Sequence, residues 1–263
     1  MRWLLGVLIA TLLAAPTWAH GAETGFLDRE VSVAGVAYRY QVYVPRDFDP
    51  ARRWPVILAL HGGGEYGSDG LRQAGGGLAR AIRLNPERFP AIVVFAQAHA
   101  DGKPGWQSQG GEAALAAVER ALTEFHGDPK RVYLTGLSAG GNGSWSLAYR
   151  YPQRFAAVVV ICGFVTEFTG RASDVKYPPI AATAAGDPYA AVAKGVASLP
   201  IWLFHGDADP IVSVEESRRM AAALRALGAD VRYTELPGIA HNAWDPAYSD
   251  PALPVWLFAQ RRR

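Results

Sequence analysis

The sequence predicts an α/β fold built on a mainly parallel, doubly wound sheet with an antiparallel hairpin at its N-terminal edge. Short apolar segments alternate with segments of helical spacing, which is the pattern of a parallel sheet covered on both faces. Residues 26–33 and 36–43 alternate apolar and polar side chains around Ala34-Gly35, and this pattern predicts the hairpin. Half of the 263 residues are hydrophobic, which is enough for one large core.

The predicted strands and helices can be assigned in chain order. Continuous apolar segments predict buried strands at residues 55–60, 91–95, 132–134, 155–161, 200–204 and 231–236. Helical spacing predicts helices around residues 78–84, at 112–125, after residue 138, at 214–227 and at 254–260. Residues 163–196 lack a regular period and are predicted to be an insertion near the active site. Since no linker or repeat divides the chain, residues 20–263 are predicted to form a single domain.

The first residues predict a secretory signal. Arg2 gives a positive start, residues 3–15 are apolar, and Thr17 and Ala19 are small residues at the two positions that a signal peptidase reads. The alternative is a membrane anchor, which the short apolar run disfavours. We therefore expect residues 1–19 to be removed from an exported protein, periplasmic or secreted, that has no stable membrane span.

Charge and residue spacing disfavour several partners. The formal net charge is +2 with acids and bases mixed along the chain, so no nucleic-acid partner is expected. No His, Cys or carboxylate residues have the spacing of a metal site, so no metal is expected. Cys162 is the one cysteine in the sequence and ends an apolar run, which predicts a buried, unreactive thiol.

The residues around Ser138 predict a nucleophile elbow. Gly136-Leu-Ser-Ala-Gly140 follows an apolar strand and precedes helical spacing. The serine must adopt a strained backbone so that its hydroxyl clears the sheet, and close packing of strand on helix favours glycine at positions 136 and 140. The alternative is a glycine-rich loop that contains a serine by chance. The later motifs favour the elbow.

Two later loops supply an acid and a base in the chain order that an elbow serine requires. His205-Gly-Asp-Ala-Asp209 follows one predicted strand, and His241 follows the next. Because the carboxyl ends of parallel strands meet at one edge of a sheet, Ser138, an aspartate and His241 can converge. Ser138 is the expected nucleophile, His241 the base, and the aspartate the group that orients the imidazole.

Two aspartates compete for the position of the acid. Asp209 is favoured over Asp207 because the His-Gly-x-x-Asp spacing places it beyond the tight turn. The other aspartate is expected to bind local backbone amides.

An oxyanion needs two backbone donors. The amide of Ala139, directly after the nucleophile, is one candidate. The other is expected in the glycine-rich loop after the strand at 55–60, where Gly63 is favoured over Gly62 or Gly64.

Four further residues are candidates with weaker signals. Trp106 is a candidate substrate-binding residue and Trp244 a candidate pocket residue, with a core or rim position as the alternative for each. His61 and His205 each follow a strand and precede a glycine, and we expect them to make structural hydrogen bonds.

Four motifs in this order resemble the α/β-hydrolase superfamily. They are Leu60-His-Gly-Gly-Gly-Glu-Tyr-Gly67, Gly136-Leu-Ser-Ala-Gly-Gly141, His205-Gly-Asp-Ala-Asp209 and His241-Asn-Ala-Trp244. The chain is similar to the secreted bacterial esterases and "predicted peptidases" related to dienelactone hydrolases, feruloyl esterases and polyhydroxybutyrate depolymerases. The resemblance implies a serine carboxyl-ester hydrolase without a cofactor, whose triad is Ser138, Asp209 and His241. Dienelactone hydrolases use a cysteine nucleophile, so the serine here argues against that narrow activity.

The expected activity is therefore hydrolysis of carboxylic esters through an acyl-enzyme. Small-molecule or polysaccharide-linked esters are the expected substrates, with feruloyl or acetyl groups on plant polysaccharide as candidates. One alternative is a small secreted serine peptidase of the prolyl-oligopeptidase-like type, although the 263 residues leave no room for the substrate-filtering propeller of the oligopeptidases. Another is a non-catalytic ligand-binding protein on a hydrolase fold, which the presence of all three triad residues disfavours.

Overall fold

The computed structural model describes residues 23–99, 105–170, 175–181 and 186–262. The predicted signal segment 1–19 lies outside the described residues, and the predicted insertion at 163–196 is described only in part. The strands are β1 (Gly25–Val33), β2 (Val36–Val44), β3 (Trp54–Leu60), β4 (Ile92–Ala96), β5 (Gly127–Leu137), β6 (Ala157–Ile161), β7 (Phe168–Thr169), β8 (Lys176–Tyr177), β9 (Ile201–Gly206) and β10 (Val231–Leu236). The helices are α1 (Gly77–Leu84), α2 (Gln109–Glu124), α3 (Ala139–Arg150), α4 (Pro188–Val196), α5 (Glu215–Ala226), α6 (Trp244–Ser249) and α7 (Ala252–Ala259).

Within the described residues the main sheet has eight strands, in the order β1-β2-β4-β3-β5-β6-β9-β10. Six neighbouring strands of this sheet, in the order β4-β3-β5-β6-β9-β10, pair in parallel. The β1–β2 hairpin is antiparallel and joins the sheet antiparallel to β4. The predicted fold class, a mainly parallel sheet with an N-terminal antiparallel hairpin, is therefore confirmed.

The hairpin turn has a backbone that fits its two residues. Ala34 and Gly35 have φ angles of 50° and 78°. Positive φ at both central residues is what a two-residue turn needs in order to match the right-handed twist of its strands.

Helices cover both faces of the sheet, which explains the continuous apolar strands. All seven residues of β3 are buried. Leu58 packs on the face covered by α2, α3, α4 and α5, and Ile57 packs on the face covered by α1, α6 and α7. Successive side chains of a strand point to opposite faces, so a strand between two helical layers is apolar throughout.

The structure differs from the predicted elements at several boundaries and in some additional elements. The largest boundary difference is at β5, which begins at Gly127 rather than at residue 132. Helix α2 begins at Gln109 rather than at residue 112, because Gly110 and Gly111 pack closely against the carbonyls of the preceding turn, Gly105–Gln107. The short hairpin β7–β8 and helix α6 were not predicted from the sequence.

Among the described residues, every helix is too short or too polar to cross a lipid bilayer.

Candidate active site

Ser138 lies on the sharp turn between β5 and α3. Its φ and ψ are 53° and −118°, a strained conformation for a residue with a side chain, and its amide donates to the carbonyl of Ile161 at 2.9 Å. A Cβ built on Gly136 would overlap the carbonyl of Gly140, and one built on Gly140 would overlap the carbonyl of Leu60. Steric contact with backbone therefore requires glycine at both positions.

The structure brings the three predicted triad residues together. Asp209 lies on the loop between β9 and α5, and His241 lies between β10 and α6. The Nε2 atom of His241 is 2.8 Å from Ser138 Oγ, and its Nδ1 atom is 2.7 Å from Asp209 Oδ2. Because an ionised carboxylate only accepts, Nδ1 carries the proton and Nε2 is left to accept the serine hydroxyl.

The carboxylate of Asp209 has no exposed side-chain surface. Its Oδ1 accepts from the amides of Ile211 at 2.8 Å and Val212 at 3.0 Å. Burial alone would raise the pKa of Asp209, but hydrogen bonds from His205, His241 and the Ile211 amide outweigh it and hold that pKa well below its usual range. The group facing His241 is therefore an anion at neutral pH.

The neighbouring polar residues of this loop have structural contacts. Asp207 is exposed, and its Oδ1 accepts from the amide of Gly238 at 2.7 Å, so it fastens one loop to the next. His205 is fully buried, with Nδ1 2.7 Å from Ser217 Oγ and Nε2 3.0 Å from the carbonyl oxygen of Val212.

Gly63 and Ala139, the predicted oxyanion donors, lie at the starts of two helical segments. Gly63 begins a 3₁₀ turn, Gly63–Glu65, and Ala139 begins α3. The first amides of a helix have no acceptor within it, which makes them available to an anion. Both residues line the cavity that contains Ser138.

The loop after β3, which contains Gly63, is held on its buried side by His61 and Trp106. His61 Nδ1 lies 2.6 Å from the carbonyl oxygen of Gly62, and its Nε2 lies 3.0 Å from the amide of Ala98. Burial lowers the pKa of His61 to about 4, against the opposing effect of the Gly62 hydrogen bond. The imidazole is therefore neutral at pH 7, and it donates through Nδ1 and accepts through Nε2.

Trp106 does not lie where a substrate-binding residue would. It has no exposed surface, its Nε1 donates to the carbonyl of His61 at 3.1 Å, and its ring packs against Gly143 of α3. A side chain without exposed surface cannot contact substrate directly. The structure therefore places Trp106 under the loop after β3, in a supporting position.

A cavity of about 340 Å³ opens beside Ser138. Its apolar lining comes from Leu137, Phe164, Phe168, Tyr177, Ile211 and Trp244. Trp244 stands edge-on to the His241 ring, with centroids 5.6 Å apart. The sequence did not predict that Phe164, Phe168 and Tyr177 line the cavity. They are aromatic, but they lie in a segment without periodicity, which does not indicate which side chains are buried.

Phe164, Phe168, Tyr177 and Trp244 form the aromatic wall of this cavity, and two sets of hydrogen bonds hold its parts in place. The hydroxyls of Tyr177 and Tyr66 lie 3.1 Å apart, which joins β8 to the loop after β3. On the other side, the buried carboxylate of Glu216, in the first turn of α5, accepts from the amide of Val165 and the hydroxyl of Tyr189, each at 2.8 Å. It also accepts from the hydroxyl of Thr166, so α5 holds the start of the insertion.

Within the described residues, one group of side chains has metal-ligand proximity. Cys162 Sγ, a carboxylate oxygen of Asp209 and a ring nitrogen of His241 lie within 4.8 Å of one another. Burial raises the pKa of the Cys162 thiol, which disfavours the thiolate that a metal requires, and the other two groups are hydrogen-bonded to each other. The expectation of no metal stays a prediction.

The fold and the site together define a class of protein. A mainly parallel sheet with a serine on a strand–turn–helix elbow, followed by an acid and a histidine on later loops, is the α/β-hydrolase fold. The chain belongs to the prolyl oligopeptidase family, whose sequence pattern it matches over residues 97–253.

Esterases are among the proteins similar to this chain. Esterase LipQ of Mycobacterium tuberculosis is 26% identical over 273 residues, covering 92% of this chain and 62% of LipQ. "Probable feruloyl esterase C" of Aspergillus niger is 27% identical over 169 residues, covering 60% of this chain and 61% of that protein. The crystal structure of a thermostable esterase matches with a TM-score of 0.75 at 29% identity, covering 90% of this chain and 63% of that one. The chain thus spans less than two thirds of the length of these three proteins.

Proposed function

We propose that this protein is a serine hydrolase that cleaves carboxylic esters through an acyl-enzyme. The observation that carries the proposal is the hydrogen-bonded series from Ser138 Oγ through the imidazole of His241 to the buried carboxylate of Asp209. This arrangement activates a hydroxyl for attack on a carbonyl carbon. The similarity to esterases supports an ester as the bond that is cleaved.

The proposed reaction has two halves. Ser138 Oγ attacks the ester carbon while His241 Nε2 takes the hydroxyl proton, and the amides of Gly63 and Ala139 donate to the resulting oxyanion. The carbon–oxygen bond to the alcohol then breaks as His241 returns the proton to the leaving oxygen. Water attacks the acyl-enzyme by the same route, and Asp209 stabilises the imidazolium in both halves. No cofactor takes part in this scheme.

The acyl group that fits best is a small aryl acid. The aromatic wall of Phe164, Phe168, Tyr177 and Trp244 gives an aromatic acyl group flat apolar partners. A hydroxycinnamoyl group such as feruloyl, esterified to a small alcohol or to plant polysaccharide, would pack against that wall. An acetyl group would leave most of the cavity unfilled, so acetyl esters are the second choice.

We also propose that the protein is exported as one domain, residues 20–263, after removal of residues 1–19. The support is the sequence pattern of a positive start, an apolar run and small residues before the cleavage point. Intact mass measurement of protein recovered from the periplasm or medium of an expressing bacterium should give a chain that starts at His20. A recovered chain that retains residues 1–19 would refute the proposed cleavage.

Labelling with a fluorophosphonate probe tests the catalytic proposal directly. The wild-type protein is expected to gain one covalent adduct on Ser138, found by peptide mass spectrometry. The Ser138→Ala variant, with the same fold, is the matched control and should gain none. A wild-type protein that stays unlabelled and inactive on esters of graded acyl size would refute the proposal. If that unreactive protein still bound an ester analogue, the result would favour a non-catalytic ligand-binding protein over an esterase.

A peptidase is the second candidate, because the chain belongs to the prolyl oligopeptidase family. Both activities use the same triad, but an amide needs a better-placed proton for its leaving nitrogen. Rates on a nitrophenyl ester and on a peptide amide with the same acyl group separate them. For an esterase, we expect the ratio of kcat/KM for the ester to kcat/KM for the amide to exceed the ratio of their intrinsic reactivities. A peptide amide that is cleaved as efficiently as the ester would favour the peptidase.

A further inference from the structure

Two imidazole nitrogens face one carboxylate oxygen of Asp209. His241 Nδ1 lies 2.7 Å from Oδ2, and His205 Nε2 lies 3.3 Å from the same atom. The side chains of His205 and Asp209 have no exposed surface, so solvent does not reach this contact. The reaction proposed above gives His205 no chemical step.

The surroundings of His205 fix its tautomer and its ring orientation. The carbonyl oxygen of Val212, 3.0 Å from Nε2, can only accept, so Nε2 carries a proton. The same nitrogen lies 3.3 Å from Asp209 Oδ2. The Nδ1 atom, 2.7 Å from Ser217 Oγ in the first turn of α5, then accepts the serine hydroxyl.

We propose that His205 is a positioning residue for the triad acid. Its Nε2–H, with the ring oriented by Ser217, holds Oδ2 of Asp209 in line with His241. The inference rests on the serine-hydrolase function proposed above. Without His205, the amides of Ile211 and Val212 still hold Oδ1, but His241 alone holds Oδ2, and the carboxylate can turn away from the base.

Two other titratable groups face this pair. Glu235 pairs in register with His205 on the neighbouring strand β10, and its carboxylate accepts from Arg218 at 2.6 and 2.9 Å, which lowers the pKa of Glu235. Cys162 lies near Asp209, and burial raises the pKa of its thiol. Between pH 5 and 8, Glu235 therefore stays ionised and Cys162 stays protonated.

Three variants test the inference. In His205→Gln the amide nitrogen reaches the position of Nε2, whereas in the matched control His205→Asn it reaches only that of Nδ1. Ser217→Ala keeps the imidazole and removes its orienting hydroxyl. Thermal unfolding establishes that each variant is folded, and kcat and KM for a nitrophenyl ester are measured from pH 5 to pH 8.

We expect His205→Asn to lower kcat about ten- to a hundredfold with KM within about twofold, since the lost contact acts on the triad and not on substrate. The acid limb of kcat/KM should move to lower pH, because a carboxylate that has turned away from Nδ1 stabilises the imidazolium of His241 less. His205→Gln should recover at least about half of the lost activity on a logarithmic scale, and Ser217→Ala should fall between wild type and His205→Asn.

The inference is overturned if folded His205→Asn keeps kcat within about twofold of wild type with an unmoved acid limb, or if His205→Gln is no better than His205→Asn. If His205→Asn does not fold, His205→Gln and Ser217→Ala decide: a moved acid limb in Ser217→Ala supports the inference and an unmoved one overturns it. Failure of the proposed function is a separate result, because it is a wild-type protein that neither reacts with fluorophosphonate nor cleaves esters.

Discussion

The buried imidazole of His61 is expected to make the stability of this protein depend on pH in a way that a single substitution removes. His61 is 5% exposed and neutral, held between the carbonyl of Gly62 and the amide of Ala98. We propose the variant His61→Gln, because its side-chain amide can also donate and accept but does not titrate in this range. The comparison isolates one protonation event.

The magnitude of the effect comes from the two pKa values of His61. In the unfolded chain the pKa has its ordinary value of 6.5, and burial lowers it to about 4 in the folded protein. Between pH 6.5 and about pH 4, His61 is protonated in the unfolded chain but not in the folded protein. The free energy of unfolding therefore falls as the pH is lowered through this range. A difference of about 2.5 units at about 1.36 kcal/mol each gives a loss of about 3 kcal/mol.

Urea unfolding at pH 7, 6, 5 and 4 measures this loss for both proteins. Every other titratable group is the same in the two proteins, so the difference between the two pH profiles isolates His61. We expect the wild type to lose about 3 kcal/mol more than His61→Gln between pH 7 and pH 4. The control His126→Asn, which replaces an exposed histidine, should keep the wild-type profile. Parallel profiles for wild type and His61→Gln would show that His61 is not held neutral by burial.

Three further predictions concern the site. Asp209→Asn should lower kcat for a nitrophenyl ester about 10⁴-fold, and a loss below about tenfold would contradict its role as the triad acid. Gly140→Ala should reduce the free energy of unfolding in urea by about 3 kcal/mol or more because its Cβ meets backbone, whereas Gly64→Ala, whose Cβ meets open space, should change it by less than about 1 kcal/mol. Glu216→Gln should lower the ratio of hydroxycinnamoyl to acetyl ester kcat/KM about three- to tenfold by loosening the aromatic wall, and an unchanged ratio would show that the wall does not depend on this carboxylate.

The fold and the approach of the three triad residues could be predicted because both depend on local pattern and chain order. Apolar strands alternating with helical segments determine a parallel sheet, and the carboxyl ends of its strands meet at one edge. The motifs at Ser138, Asp209 and His241 each follow a strand of that sheet. That topology brings His241 Nε2 to 2.8 Å from Ser138 Oγ and His241 Nδ1 to 2.7 Å from Asp209 Oδ2.

The supporting contacts could not be predicted, because they join residues by packing rather than by periodicity. Trp106 lies in a segment that the sequence predicts to be a loop, and only the tertiary structure shows that its ring is buried next to His61. The contact of His205 with Asp209 depends on how the loop after β9 closes. Phe164, Phe168 and Tyr177 of the aromatic wall lie in a segment without a repeating pattern, so the sequence does not indicate which side they face.

The first turn of α5 has a consequence for efforts to alter this protein by mutation. Glu216 holds the segment that carries Phe164 and Phe168, and its immediate neighbour Ser217 contacts the histidine beside Asp209. Adjacent residues on one rigid turn cannot shift independently. Libraries that redesign this turn to widen the range of accepted acids should therefore also change turnover, whereas changes confined to the β7–β8 hairpin offer a way to alter preference alone.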